Sequence, residues 1–134
     1  MVPGLGGKAE MVVKKEDLVR SLGSVDVDVL STPRLVHLLE SAAIEAICEF
    51  IPADHWSLGV TVNIKHLSPT PLGMKVTAHA LLKEIHKNRL HFIVDAYDEK
   101  GKVAEGEHDR VLVLKKEFLE KVEKKRSGEW RRDE

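Results

Sequence analysis

Apolar positions follow a helical period in one stretch of the chain and a strand period almost everywhere after it. Leu35, Leu38, Leu39, Ala42, Ala43, Ala46, Ile47 and Phe50 recur at helical spacing and form one broad stripe. Arg34, His37, Ser41, Glu45, Cys48 and Glu49 gather on the opposite arc. The spacing predicts a single long helix over residues 32–50. Thr32 can cap its free amides, Pro33 suits its first turn, and Pro52 stops it. From residue 57 the period falls to two. Leu58, Val60, Val62 and Ile64 share a parity with His66, while Gly59, Thr61, Asn63 and Lys65 take the other. Ser68-Pro69-Thr70-Pro71-Leu72-Gly73 must turn. Strand patterns then cover residues 74–86, 90–98 and 102–114, with hairpins at Lys87-Asn88-Arg89 and Asp98-Glu99-Lys100-Gly101.

The flanks are less regular. Residues 1–7 are glycine-rich and expected to be loose, and residues 9–13 read as a first strand. Residues 18–30 contain Gly23 and Ser24, then alternate valine with aspartate; a short strand and a loop over the helix entrance both fit. Phe118, Leu119 and Val122 sit at helical spacing in a tail that becomes fully charged over residues 120–134, which reads as a short docked helix with a frayed end. One helix over an antiparallel sheet of about five strands is an α+β arrangement in a single domain spanning residues 1–134. The sheet has only this helix to cover its apolar face, and its open edges favour pairing with a second copy.

Composition narrows the function. With 134 residues the chain can bury one proper core. A formal net charge of −1 gives no basic excess to draw it to nucleic acid or an anionic membrane. Cys48 is the sole cysteine, so no internal disulfide forms, and no apolar run is long enough to span a bilayer. A cytoplasmic protein is the expectation. Charged residues reach 32%, Asn63 and Asn88 are the only asparagines, and glutamine is absent, a bias that points toward heat adaptation.

Glu40 departs from the helical pattern. Its neighbours three and four positions away are Val36, His37, Ala43 and Ile44, which places it on the edge of the apolar face. A carboxylate there either snorkels to water or has a task; burial would raise its pKa and make it a stronger base near neutral pH. Gly59 inside a strand marks either a bulge or the close approach of a ligand or backbone. His79, His86 and His91 lie near one hairpin, but their spacing fits no standard metal site. His108 shares parity with Ala104, Gly106, Leu112 and Leu114 and reads as structural. Cys48, on the polar arc, has no paired histidine and is not read as a nucleophile.

Taken together, Thr32-Pro33, Glu40 within Leu-Leu-Glu-Ser-Ala-Ala, Ser57-Leu58-Gly59 with His66 seven residues on, Pro69-Thr70-Pro71-Leu72-Gly73, Gly101, and Glu105-Gly106-Glu107-His108-Asp109-Arg110 form an ordered set. Over about residues 9–118 this resembles the fluoroacetyl-CoA thioesterase-like branch of the hotdog-fold superfamily. The resemblance implies a long helix wrapped by an antiparallel sheet, a homodimer with a tetramer left open, and acyl-CoA sites in the dimer interface. It implies a catalytic set of Thr32, Glu40 and His66, with Gly59 offering backbone contact to the thioester. No metal is implied, and no cofactor beyond the coenzyme A of the substrate. The Asp-rich motif of the hydroxybenzoyl-CoA type and the aspartate–histidine pair of the hydratases are both missing.

The expected activity is therefore hydrolysis of a short or small acyl-CoA, with Glu40 as base or as nucleophile and His66 relaying a proton to the leaving sulfur. A non-catalytic acyl-CoA sensor is the alternative. Fluoroacetyl selectivity does not carry over, because residues 21–30 contain no aromatic to close over a small acyl group. One difficulty is geometric. Eight residues of helix span ~12 Å, too far for Thr32 and Glu40 to reach one atom unless the chain bends back.

Overall fold

The computed structural model describes residues 1–23 and 25–131; Ser24 in the valine–aspartate stretch and the last three positions of the charged tail lie outside the described residues. Five strands, β1 (Gly6–Val12), β2 (His55–His66), β3 (Lys75–His86), β4 (Arg89–Asp98) and β5 (Gly101–Leu114), form one antiparallel sheet in the order β1-β3-β4-β5-β2. Helix α1 (Thr32–Ile47) packs across its inner face, and α2 (Lys115–Ser127) continues directly from β5. The chain adopts the α+β arrangement expected from the residues and the hotdog fold that the resemblance implies.

The core forms where the two periods meet. Leu35, Leu38, Leu39, Ala42, Ala43, Ala46 and Ile47 of α1 bury against alternate residues of the sheet, among them Val76, Ala78, Ala80, Leu82, Leu90, Phe92 and Val94. Small residues at the middle of α1 let it sit close to the sheet. A Cβ on Gly7 would lie 2.1 Å from the Ala42 carbonyl oxygen and 2.5 Å from the Ala46 nitrogen. Gly6 and Gly7 therefore belong to β1, correcting the expectation that residues 1–7 are loose. The helix is also shorter than predicted. It ends at Ile47, and Cys48–Phe50 forms a tighter turn before Pro52.

The helix start is corrected as well. Ser31 is the cap, its hydroxyl accepting from the Arg34 amide at 3.4 Å, and Thr32 is the first helical residue. Ser31 donates its own amide to the Asp17 carbonyl at 2.9 Å, and the buried Asp17 carboxylate pairs with Arg34 at 2.8 Å. Residues 28–30 make isolated bridges and single bonds rather than a strand. Leu30 donates to the Thr70 carbonyl at 2.9 Å, Leu72 to the Asp28 carbonyl at 3.1 Å, and Val29 bridges Pro71. Thr70 is itself buried, with its hydroxyl bonded to Asp98 at 2.9 Å. The Pro-Thr-Pro turn thus lashes the end of β2 to the start of α1.

β2 departs from its simple alternation. A bulge between Gly59 and Thr61 inserts Val60 into the ladder with β5. The strand lies at the sheet edge, so Val60 (47% exposed) and Val62 (41%) are not core residues despite their parity. On α2, Phe118 meets Trp56 edge-on at 6.1 Å, and the rest of the helix is largely exposed.

Candidate active site

The four residues singled out in the sequence divide into two groups. At the start of α1 the Thr32 hydroxyl lies 2.8 Å from His66 Nδ1, a contact created by the turn that ties the end of β2 to the helix. His66 Nε2 is sealed from solvent without a hydrogen-bond partner among the described residues. Burial lowers the His66 pKa, opposed in part by the Ser68 backbone, so the ring is neutral at pH 7. A neutral imidazole can accept a proton from a hydroxyl and hand it on.

Glu40 lies two turns further along α1, and its partner is not His66. Its Oε2 accepts from Arg110 Nη1 at 2.8 Å and stands 3.8 Å from His108 Nε2. The carboxylate is one-third exposed, on the edge of the apolar face as the wheel placed it. An uncompensated carboxylate in apolar surroundings is what the sequence suggested; the Arg110 guanidinium supplies a counter-charge instead. Gly59 completes this group. A Cβ there would fall 2.2 Å from Glu40 Oε2 and 3.2 Å from the His108 ring, so glycine is what allows the carboxylate to lie against β2. The bulge posed for Gly59 is present, and what lies close to the glycine is the Glu40 side chain, not the ligand or backbone posed as the alternative.

Arg110 is held on every side. Its Nε donates to Ser57 Oγ at 2.6 Å, its Nη2 to the Ser57 carbonyl at 2.9 Å, and it is 4% exposed. His108 fixes it from behind. The Thr61 carbonyl, 2.8 Å from His108 Nδ1, can only accept, so Nδ1 carries the proton. Burial above all lowers the His108 pKa, with the Thr61 carbonyl and Glu40 opposing and Arg110 reinforcing; the ring is neutral and Nε2 is left to accept from Arg110 at 3.3 Å. Stacking on Phe92, with centroids 6.0 Å apart, holds the ring plane. The result is a carboxylate whose position is set by a rigid, hydrogen-bonded cation.

Arg110 escaped the sequence reading, though its signal was present. It shares parity with Gly106, His108 and Leu112, so it is a charged residue on an inward-facing row. Two of the three histidines near the β3–β4 hairpin are engaged elsewhere: His91 with Asp109 at 2.5 Å and His79 with Asp95 at 3.1 Å.

Residues 13–116 match the family model for fluoroacetyl-CoA-specific thioesterases. The fluoroacetyl-CoA thioesterase of Streptantibioticus cattleyicolor is 31% identical over 98 residues, covering 73% of this chain and 70% of that protein. A solved structure of a fluoroacetyl-CoA thioesterase superposes with a TM-score of 0.85 at 29% identity, over 93% of this chain and 97% of that one. A Thermus thermophilus protein of the thioesterase superfamily gives 0.84 at 30% identity, over 95% and 96%. The chain belongs to the fluoroacetyl-CoA thioesterase-like family of hotdog-fold thioester hydrolases.

Proposed function

We propose that the protein hydrolyses a short acyl-CoA thioester to the free acid and CoA, with Glu40 acting at the thioester carbonyl carbon. The observation that carries this is the Glu40–Arg110–His108 arrangement against Gly59, which fixes a one-third-exposed carboxylate on the edge of the apolar face. Glu40 either takes a proton from the attacking water or attacks the carbonyl itself. In both routes water adds across the thioester, the C–S bond breaks, and the departing thiolate takes up a proton. The Thr32–His66 pair is suited to carry that proton: neutral His66 can take up a proton that the attacking water gives up and, as the imidazolium, pass it to the sulfur.

The two groups must meet on one substrate, and within one protomer the helix keeps Thr32 ~12 Å from Glu40. A two-fold dimer resolves this. β2 is an edge strand with exposed valines at its middle, and, with the bulged Val60 left out of the ladder, the midpoint between Gly59 and His66 falls at Asn63. Antiparallel pairing of β2 with its symmetry mate about that point brings Gly59 of one copy opposite His66 of the other. In the same arrangement α1 of each copy runs against its mate about Val36, midway between Thr32 and Glu40. Each site is then composite, with Glu40, Gly59 and Arg110 from one protomer and Thr32 and His66 from the other.

Mixed dimers test this. Glu40→Gln and His66→Ala homodimers are each expected to lose thiol release from acyl-CoA by ~100-fold or more. In a mixed dimer carrying one of each, one site holds both lesions and the other is intact, so about half of the wild-type rate per dimer returns. Mixed dimers as inactive as the parents would overturn the composite site. Undiminished turnover in Glu40→Gln would remove its catalytic role, and tight acyl-CoA binding by the wild type without thiol release would identify a sensor instead.

A further inference from the structure

From Glu40 the helix presents Ile44 and Cys48 in one row, four and eight positions on, and these form a wall of a groove of about 360 Å³. Ile47, Ile51, Pro52 and Trp56 complete its apolar lining. Its inner end is Arg110 and Ser57, the residues that orient Glu40, so the groove opens directly from the site. Its polar groups are already engaged. Ser57 Oγ is taken by Arg110, Cys48 Sγ faces the Glu45 carbonyl at 3.5 Å, His55 pairs with Asp54, and the Lys115 ammonium sits 5.6 Å from the centre of the Trp56 ring. An occupant needs no hydrogen bonds here and would cover the exposed faces of Ile44 and Trp56. Coenzyme A fits this poorly, because its pantetheine amides would be desolvated without partners.

We infer that this groove holds the acyl chain, and that the chain is aliphatic and several carbons long. The inference rests on the thioesterase reading of Glu40. With the carbonyl carbon at Glu40, an acetyl group ends before Ile44 and touches none of the wall. From Glu40 to Cys48 is ~12 Å along the helix, a length that a hexanoyl chain largely fills. Ile44 and Cys48 therefore set chain-length preference.

The sole cysteine gives a direct probe, since Cys48 is exposed at the groove wall. Alkylation with N-ethylmaleimide is expected to lower the ratio of kcat/KM for hexanoyl-CoA to that for acetyl-CoA by tenfold or more. Cys48→Ala protein treated identically keeps its ratio. In the Glu40→Gln variant, hexanoyl-CoA slows alkylation of Cys48, while acetyl-CoA and desulfo-CoA, which has no thiol to consume the maleimide, do not. A ratio unmoved by alkylation, or both substrates lost alike, overturns the assignment. Equal protection by desulfo-CoA does the same, because it puts the pantetheine arm in the groove. The protection assay requires no turnover, so failure of the hydrolase reading and failure of the groove assignment give different results.

Discussion

At the scale of single residues, the site depends on which groups are charged and which are neutral. Glu40 has a counter-charge in Arg110, whereas His66 has none, and its burial holds its pKa below the ordinary 6.5. The direction matters for the pH profile. A proton relay must start neutral, and its neutral fraction falls as pH drops through the folded-state pKa. Because that pKa is depressed, kcat/KM is expected to stay level from pH 8 through 6.5 and to decline only below it. A profile of thiol release against pH checks this, and an acid limb centred above 6.5 would show that His66 is not the group relaying the proton. Both histidines near the site use burial to remain neutral, yet to different ends. His108 is locked between Thr61 and Arg110 and acts through Arg110 as a positioning residue, while the Nε2 side of His66 has no partner among the described residues.

At the scale of elements, local pattern and long-range packing contributed unequally. The helix, the three long strands after the Pro-Thr-Pro turn and both hairpins were legible because burial on one face imposes a period on the sequence. Glu40 was legible for the same reason, as a break in that period. The bulge at Val60 was legible only as one of two readings of Gly59, because it alters alternation without changing composition. Two things were hidden. The capping role passes from Thr32 to Ser31 through a backbone bond to Asp17, far away in sequence. The start of β1 was hidden because glycines usually signal looseness, whereas here they admit the helix. The Gly7 contact makes a testable point of that. Gly7→Ala drives a methyl into the backbone of α1 at Ala42 and Ala46, neither of which can retreat as a flexible side chain would. Overpacking of this kind costs ~1–3 kcal/mol, to be read as a lower urea midpoint with an unchanged slope. An unaltered midpoint would mean that β1 is not held as tightly as the distances indicate.

At the scale of the whole molecule, the question is why a sheet covered by one helix leaves its longest hydrophobic edge bare. β2 has twelve residues, lies at the margin of the sheet, and exposes Val60 and Val62 at its centre. The other edge, β1, is short and carries Lys8 and Glu10, which pair with each other and with Lys75. Charge of that sort blunts an edge against pairing; β2 has no such protection at its middle. If the two-fold axis passes at Asn63, Val62 of each protomer lies diagonal to its mate on the same face of the joined sheet. Val62→Lys then sets two like charges together across the axis, and the dimer is expected to dissociate. Each monomer should keep its circular dichroism spectrum, because Val62 lies outside the buried core, but thiol release should fall by ~100-fold or more as Glu40 is parted from the partner's Thr32–His66 pair. Mixing Val62→Lys with Val62→Glu replaces repulsion by attraction and should restore both the dimer mass and the activity. A Val62→Lys protein that stays dimeric places the interface elsewhere. One that becomes monomeric and remains fully active confines the chemistry to a single protomer, leaving the Thr32–His66 pair without a part in it.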